Sequence, residues 1–305
     1  MNFQHLQYLS ALYNSGSMVE AAAMCFVTQP TISKAVKALE QEFGIEILQR
    51  NRLNQIQFTA EGEAFIEKAT RILSDYEILR SHFSPGREIR LNISSQHYIF
   101  VVEAFLELIK RYDDQKYELQ LKEMHTKSII DEVYNGQSTL GIIYRTKRND
   151  AAIEKYLRER DVEFTEMGMF DFHAFLSIDH RLASKRTLSL AELENYPFVC
   201  YSQLDYSQFF LEEGFIPPAK QLIRVCDRDS MYRIMRCANA YTIGTGTLVN
   251  HFESEDLISI PIVDLPDKIR VGWIRRSGAV LQPLEEEFLG LCLERLNLHR
   301  IQQYQ

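Results

Sequence analysis

Basic side chains near the start of the chain fall in stretches that contain no acid. Residues 1–58 hold four basic and four acidic residues, yet all four cations lie within Ala21–Leu39 or Ile47–Ala60, where Asp and Glu are absent. Small polar residues accompany them, and such side chains can reach base edges or phosphates. The candidate nucleic-acid contacts are Thr28, Gln29, Pro30, Thr31, Ser33, Lys34, Lys37, Arg50 and Arg52.

Three short helices are predicted to position the first of these residues. The pattern indicates a helix from about Phe3 to Asn14, a second opened by the capping box Ser17-x-x-Glu20, and a third that follows the N-cap Thr28. The third helix has a polar front and an apolar back, which consists of Ile32, Ala35, Val36, Leu39 and Phe43. This pattern is typical of a recognition helix that enters a major groove, although an ordinary solvated helix face would show the same pattern.

A hairpin, or wing, is predicted after the third helix. Apolar residues at 45, 48, 56 and 58 flank the polar segment 49–54, which places Arg50 and Arg52 at the tip. Arginine at such a tip can hold phosphate or enter a minor groove. A solvated loop is the alternative interpretation.

A long helix that begins after Thr59 carries an apolar repeat. Spacings of four and three residues alternate along it, which is the 3.5-residue period of a coiled-coil seam and predicts dimerisation. The alternative is a helix that packs on its own domain. Ser84-Pro85-Gly86 is predicted to end the helix at a domain boundary. The seam residues are Phe65, Ala69, Ile72, Tyr76, Leu79 and Phe83.

The rest of the chain is predicted to form an α/β domain. Two alternating apolar segments, Ile89–Ile93 and Tyr117–Leu121, and the apolar run 140–143 are separated by helical patterns. They give the order βαβαβ, and a second unit is expected near Val162. Ligands of open α/β sheets bind beyond the carboxyl ends of parallel strands. Two of the loops there precede helices, so their free N–H groups and hydroxyls would suit a carboxylate. The candidate effector contacts are Ser95, Gln96, His97, Thr126, Lys127, Tyr144, Tyr201 and Ser202.

Composition excludes several other classes of protein. The chain has 305 residues, 46% of them hydrophobic and 25% charged, which fits a globular protein of two domains. No apolar run approaches the length of a membrane span, and the N-terminus does not resemble a signal peptide, so a cytoplasmic protein is expected. Five scattered cysteines without a CxxC pair predict neither disulfides nor a metal site.

Two other functions remain open from the residues alone. An enzyme could use His97, His125 or His173, but no HxxEH, GxSxG or GxxxxGK[ST] motif is present. A redox sensor could use Cys200, Cys226 or Cys237. No catalytic residue and no cofactor other than a small-molecule effector is predicted.

Several motifs occur together with a specific order and spacing. They are Ser17-x-x-Glu20-Ala21-Ala22, the run from Val27 to Lys34, Leu39-Glu40, Gly44, Leu48, Arg50 and Thr59-x-Glu61-Gly62, followed by Asp179-His180-x-Leu182-Ala183, Leu188-Ser189-Leu190-x-x-Leu193 and Pro197-Phe198. This set resembles the LysR-type transcriptional regulators over the whole chain. Gln49, the run 238–244 and a helix-like segment at 151–160 depart from the family pattern.

The resemblance implies a fold and a set of partners. The fold is α/β with an all-α, winged N-terminus: a winged helix-turn-helix at 1–58, a linker helix at 59–86 that pairs between subunits, and a two-lobed effector domain at 87–305 like a periplasmic binding protein. Lobe I would cover about 87–161 and 266–305, and lobe II about 162–265. The implied partners are a DNA operator, a second copy of the chain in a dimer or tetramer, an effector and RNA polymerase, with no membrane.

A weaker resemblance concerns a Gram-positive subgroup linked to sulfur amino-acid metabolism. It rests on Ser95-Gln96-His97-Tyr98, Asp131-Glu132-Val133, the run 141–144 and Asp227-Arg228. This resemblance implies an effector such as an acetylated serine or homoserine.

Overall fold

The structure is a computed structural model that describes residues 2–50, 56–83, 89–202, 210, 213–246 and 256–303. The chain divides into two compact units, one of residues 1–88 with 135–137 and one of the remainder. Within the described residues, no helix is long and apolar enough to cross a membrane.

The first unit contains the predicted three helices, hairpin and long helix. Its first helix ends where predicted, because Gly16 adopts a left-handed backbone with φ of 66° and donates its N–H to the carbonyl of Leu12. Ser17 opens the next helix by accepting the N–H of Glu20. The elements are α1 (Phe3–Ser15), α2 (Met18–Met24), α3 (Gln29–Phe43), β1 (Leu48–Arg50), β2 (Ile56–Phe58) and α4 (Ala60–Phe83).

The core of this unit forms between α1 and α3. Leu9 and Leu12 of α1 are buried together with Ile32 and Leu39 from the predicted back of α3. Burial of each such side chain contributes roughly 1.5–3 kcal/mol. Phe43 differs from the prediction, because its side chain is 46% exposed and contacts the ring of Phe65 at the edge of the core.

The start of α4 lies directly against the chain that leads into the wing. A Cβ atom at Gly62 would stand 2.2 Å from the carbonyl oxygen of Ile47, so only glycine fits there. Thr59 joins the same two segments, since its N–H donates to the Ile47 carbonyl over 3.0 Å and its hydroxyl donates to that of Glu46. The motif Thr59-x-Glu61-Gly62 therefore fastens the linker helix to the base of the wing.

The second unit is an α/β domain with two five-stranded sheets. In chain order its elements are β3 (Ile89–Ser95), α5 (Ile99–Arg111), β4 (Tyr117–Glu123), α6 (Thr126–Tyr134), β5 (Leu140–Arg145), α7 (Asp150–Glu159), β6 (Val162–Phe170), β7 (His173–Ser177), α8 (Leu190–Leu193), β8 (Phe198–Tyr201), β9 (Leu222–Val225), α9 (Arg228–Ala238), β10 (Tyr241–Gly244), β11 (Leu257–Pro261), β12 (Ile269–Arg276) and α10 (Pro283–Gln303).

The first sheet confirms the predicted βαβαβ order and corrects one boundary. Its strand order is β4-β3-β5-β12-β6, with β3 parallel to both β4 and β5. Strand β12 runs antiparallel to β5 and pairs with β6 along its whole length. The segment 162–170 therefore belongs to lobe I, and the expectation that lobe II begins near Val162 is wrong. The sequence patterns predicted neither β6 as a strand nor its pairing with β12, which lies far along the chain.

The second sheet forms lobe II, with the strand order β11-β7-β10-β8-β9. Strands β8, β9 and β10 run parallel, while β7 is antiparallel to β10 and β11. The predicted capping box before α8 is present, since the carboxylate of Glu192 accepts the N–H of Ser189 over 2.8 Å. The two sheets share one continuous hydrophobic core.

Replacing Gly62 with Ala is expected to destabilise the first unit by about 1–3 kcal/mol, because the new methyl group would displace backbone rather than a flexible side chain. Hydrogen–deuterium exchange should show faster exchange of the amides of α3 and α4. Gly290→Ala is the matched control, since Gly290 also lies in a helix and a Cβ there meets nothing within 4 Å. Equal protection in both variants would contradict the close packing at Ile47.

Candidate nucleic-acid interface and ligand cleft

The front of α3 carries the predicted contact residues at the surface. Gln29, Pro30, Lys34 and Lys37 are exposed, and Thr31 and Ser33 are half-buried. The first turn of α3 contains no acidic residue, so the positive end of its dipole favours an anion there. Thr28 does not cap the helix with its side chain as predicted; its hydroxyl instead lies 2.9 Å from that of Thr31.

An acidic residue on α3 fixes the start of the wing. The carboxylate of Glu40 accepts the N–H of Ile47 over 2.9 Å and the N–H of Leu48 over 3.2 Å. Glu40 lies one helical turn after Lys37, so this contact sets the distance between the wing and the recognition face. The sequence prediction missed this role. The signal for it was an acid placed next to the apolar stripe of α3, beside Leu39.

The wing forms as predicted, by antiparallel pairing of β1 with β2. Arg50 ends β1, and its Cα pairs with that of Ile56. Arg52 lies outside the described residues. Before α3, Phe26 occupies the helix-turn-helix turn with φ of 55° and is 96% exposed, a feature that no sequence pattern indicated.

The predicted seam of α4 divides into two parts. Ala69 is buried and Phe65 is partly buried in the core of their own unit. Further along the helix, Ile72 and Leu79 are 44% and 57% exposed, and Tyr76 is exposed apart from a ring contact with Phe3. The first half of the repeat therefore packs within its own unit, and dimerisation stays a prediction for the exposed second half. The structure does not describe the side chain of Phe83.

A cavity of about 90 Å³ lies between the two lobes of the second unit. Lobe I contributes mostly aromatic side chains from the ends of β3 and β5, and lobe II contributes one acid, threonines and further aromatic and apolar side chains. The residues from lobe I are His97, Tyr98, Ile99, Tyr144 and Ile269. Those from lobe II are Phe175, Tyr201, Glu213, Met231, Tyr232, Met235, Thr242, Ile243, Gly244, Thr245 and Leu257.

Of the predicted effector contacts, His97, Tyr144 and Tyr201 line this cavity. Ser95 and Thr126 are buried instead, since the hydroxyl of Ser95 donates to the carbonyl of Gln96 and that of Thr126 accepts from the Gln96 amide. Gln96, Lys127 and Ser202 do not line the cavity either. The expectation that two hydroxyls would receive a carboxylate there is therefore wrong, because both hydroxyls have partners inside lobe I.

Two contacts connect the lobes beside the cavity. The ring of His97 from lobe I stacks on Tyr201 from lobe II, with centroids 3.8 Å apart and planes at 11°. Arg228 at the start of α9 forms an ion pair with Glu123 at the end of β4. Each of these contacts therefore joins lobe I to lobe II.

The cysteines differ in their exposure. Cys200 is buried, and burial, together with the nearby Glu213, raises the pKa of its thiol to about 12. A thiol with that pKa is a poor nucleophile at neutral pH. Cys226 and Cys237 are exposed. Among the described residues, no cluster of His, Cys, Asp or Glu could hold a metal ion.

Two families match the chain. Residues 3–63 match the family described as "Bacterial regulatory helix-turn-helix protein, lysR family", and residues 84–297 match the "LysR substrate binding domain". Together these matches cover both units.

Individual proteins agree with the family matches. The chain is 31% identical to the uncharacterized HTH-type transcriptional regulator YnfL of Escherichia coli K12 over 66% of each protein, just under two thirds of that relative. It is 27% identical to the DNA-binding transcriptional dual regulator OxyR of the same strain over 98% of this chain and 97% of that one.

Solved structures share the fold. Full-length CbnR complexed with its target DNA is 20% identical, with a TM-score of 0.58 over 97% of this chain and 100% of that one. A full-length OxyR variant from Pseudomonas aeruginosa is 16% identical, with a TM-score of 0.62 over 98% and 95%.

Replacing Glu40 with Ala is expected to weaken the anchoring of the wing by about 1–3 kcal/mol, because two backbone N–H groups lose a charged acceptor. Hydrogen exchange at the amides of Ile47 and Leu48 reports this loss directly. Glu42→Ala makes the same charge change at an exposed position of α3 and should leave those amides protected. Equal exchange in the two variants would show that Glu40 does not hold the wing.

Proposed function

Since the chain belongs to the LysR family of bacterial helix-turn-helix regulators, we propose that it binds double-stranded DNA through α3 and the wing, and that a small molecule in the cleft alters this binding. The chain is a transcriptional regulator, and the matched families are not families of enzymes. RNA polymerase stays a predicted partner.

The observation that carries the DNA proposal is the surface of α3. Its back is buried against α1, while its front presents Lys34 and Lys37 beyond a first turn without acidic residues. Glu40 holds the wing beside that front. Phosphate contacts from the helix N-terminus and the cations would position the helix, and Gln29 and Ser33 are suited to base edges.

The oligomer proposal rests on the second half of α4. Ile72, Tyr76 and Leu79 keep the 3.5-residue spacing and are exposed, as expected for a stripe that a second copy of the chain covers. A two-fold dimer would require a partly palindromic operator. Assembly into a tetramer stays a prediction from the family.

The effector proposal rests on the cleft. A cavity lined from both lobes is suited to a ligand that brings the lobes together. In the oligomer, such a movement would change the spacing of the recognition helices on DNA. An identified effector would test this proposal through its effects on lobe closure and on DNA binding.

Lys34→Ala or Arg50→Ala is expected to weaken binding to an operator selected from random DNA by about 1–3 kcal/mol, because each removes a cation from the phosphate or base contact. Fluorescence anisotropy over a range of salt concentrations measures both the affinity and its salt slope. Lys68→Ala, a cation removed from an exposed position of α4, should change neither. Unchanged affinity after substitution of Lys34, Lys37, Arg50 and Arg52 together would refute this interface.

Ile72→Glu with Leu79→Glu is expected to lower the oligomer mass, because two carboxylates would be buried without partners in the seam. Light scattering on the full chain measures that mass. Glu67→Lys, an exposed charge change off the stripe, should leave it unchanged. A seam variant with the mass of the unmodified protein would show that α4 does not pair between subunits.

A further inference from the structure

We propose that the cleft binds a small amine, a ligand that carries a protonated nitrogen, and not a simple carboxylate. The inference rests on the proposed role of the cleft as the effector site and names the chemical class of the ligand. Three observations carry it: a carboxylate in the cavity lining, a described lining without lysine or arginine, and a set of aromatic rings.

The carboxylate belongs to Glu213. Its side chain lines the cavity, is 5% exposed, and accepts the N–H of Tyr201 over 2.7 Å. That hydrogen bond fixes the carboxylate at the carboxyl end of β8. A buried carboxylate favours a ligand of opposite charge and disfavours a second anion in the same small space.

Lysine and arginine are missing from the lining of the cavity. No Lys or Arg occurs among the described residues that line it. The sequence itself contains none in 187–219 or in 237–267, the two segments that supply most of the lobe II side. A carboxylate ligand would therefore enter a cavity that offers a carboxylate and no lysine or arginine.

Four lobe II residues of the lining lie outside these segments: Phe175 on β7, and Met231, Tyr232 and Met235 on α9. The three arginines of α9 have acidic partners. Arg228 pairs with Glu123. Arg233 lies 2.8 Å from Asp229, and Arg236 lies 3.4 Å from Asp256. The charge of each is thus directed to a carboxylate of the protein and not to the cavity.

Aromatic rings form a large part of the lining. Tyr144 comes from lobe I and Phe175, Tyr201 and Tyr232 come from lobe II. The faces of such rings attract cations, and several rings around one acid form the kind of site that binds ammonium groups. The stacked ring of His97 fixes the orientation of Tyr201.

The size of the cavity limits the ligand. A volume of about 90 Å³ corresponds to about six to nine waters. A small amine with an apolar body fits this space, with its nitrogen at Glu213 and its body against the rings and Met231 or Met235.

Three probes of the same shape test the charge preference. We expect 2-phenylethylamine to bind the full-length protein at least about tenfold more tightly than 2-phenylethanol, and phenylacetate to bind more weakly than either. Isothermal titration calorimetry at neutral pH ranks them. An amine that binds no more tightly than the alcohol, or a carboxylate that binds more tightly than the amine, would overturn the proposal.

Glu213→Gln locates the preference within the cleft. Glutamine keeps an oxygen that can accept the N–H of Tyr201 but removes the charge, so the advantage of the amine over the alcohol should disappear. Glu194→Gln makes the same change at an exposed position of lobe II and should keep that advantage. If the advantage survives in Glu213→Gln, the amine binds elsewhere. If that variant does not fold, the ranking of probes on the unmodified protein still decides the charge preference.

DNA binding separates this inference from the proposed function. Amine binding that leaves operator affinity unchanged would support the amine site and contradict the effector role of the cleft. A carboxylate that binds in the cleft and alters operator affinity would support the effector role and overturn the amine proposal.

Discussion

The buried side-chain amide of Gln96 determines the lobe I side of the cleft. Its Nε2 donates to the hydroxyl of Thr126 over 2.8 Å, and its Oε1 accepts the N–H of Tyr144 over 3.0 Å. One side chain thus joins the end of β3, the start of α6 and the end of β5. Loss of either partner would leave a buried polar group unsatisfied, which would lower the free energy of unfolding by about 1–3 kcal/mol. Because these polar groups bond to one another inside lobe I, mostly aromatic rings line the lobe I side of the cavity.

The first unit uses the same principle at the recognition surface. The cations that would touch DNA are positioned by groups that carry no positive charge. Glu40 holds the wing through two backbone N–H groups, and Gly62 lets α4 approach the carbonyl of Ile47. The position of the wing relative to α3 therefore depends on contacts with the backbone. The exposed side chains on the front of α3 take no part in these contacts, so they can differ according to the DNA sequence that is bound.

Local pattern was sufficient for much of this structure. The periodicity of α3 predicted its buried face apart from Phe43, alternation predicted β3 and β4, and a continuous apolar run predicted β5, because each of these patterns follows from the geometry of a single element. The failures concern partners that are distant in sequence. Ser95 and Thr126 were expected at the ligand, but the Gln96 amide reaches Thr126 thirty residues away. The segment of β6 was expected to begin lobe II, but it pairs with β12, and no local pattern contains a pairing between strands so far apart in the chain. Glu40 was noticed as an acid and as part of the motif Leu39-Glu40, but its bonds to the wing were not predicted.

The pairing of β6 with β12 has a consequence for how proteins with this fold can evolve. Phe170 and Ile269 are register partners, so the polypeptide leaves the first sheet and re-enters it at points only about 5 Å apart. Lobe II, from residue 171 to 268, is thus an insertion between adjacent strands. The hydrogen bonding of the first sheet would be complete if a short turn replaced it. Exchange of this one segment would therefore change the lobe II side of the cleft while the first sheet and the first unit keep their structure.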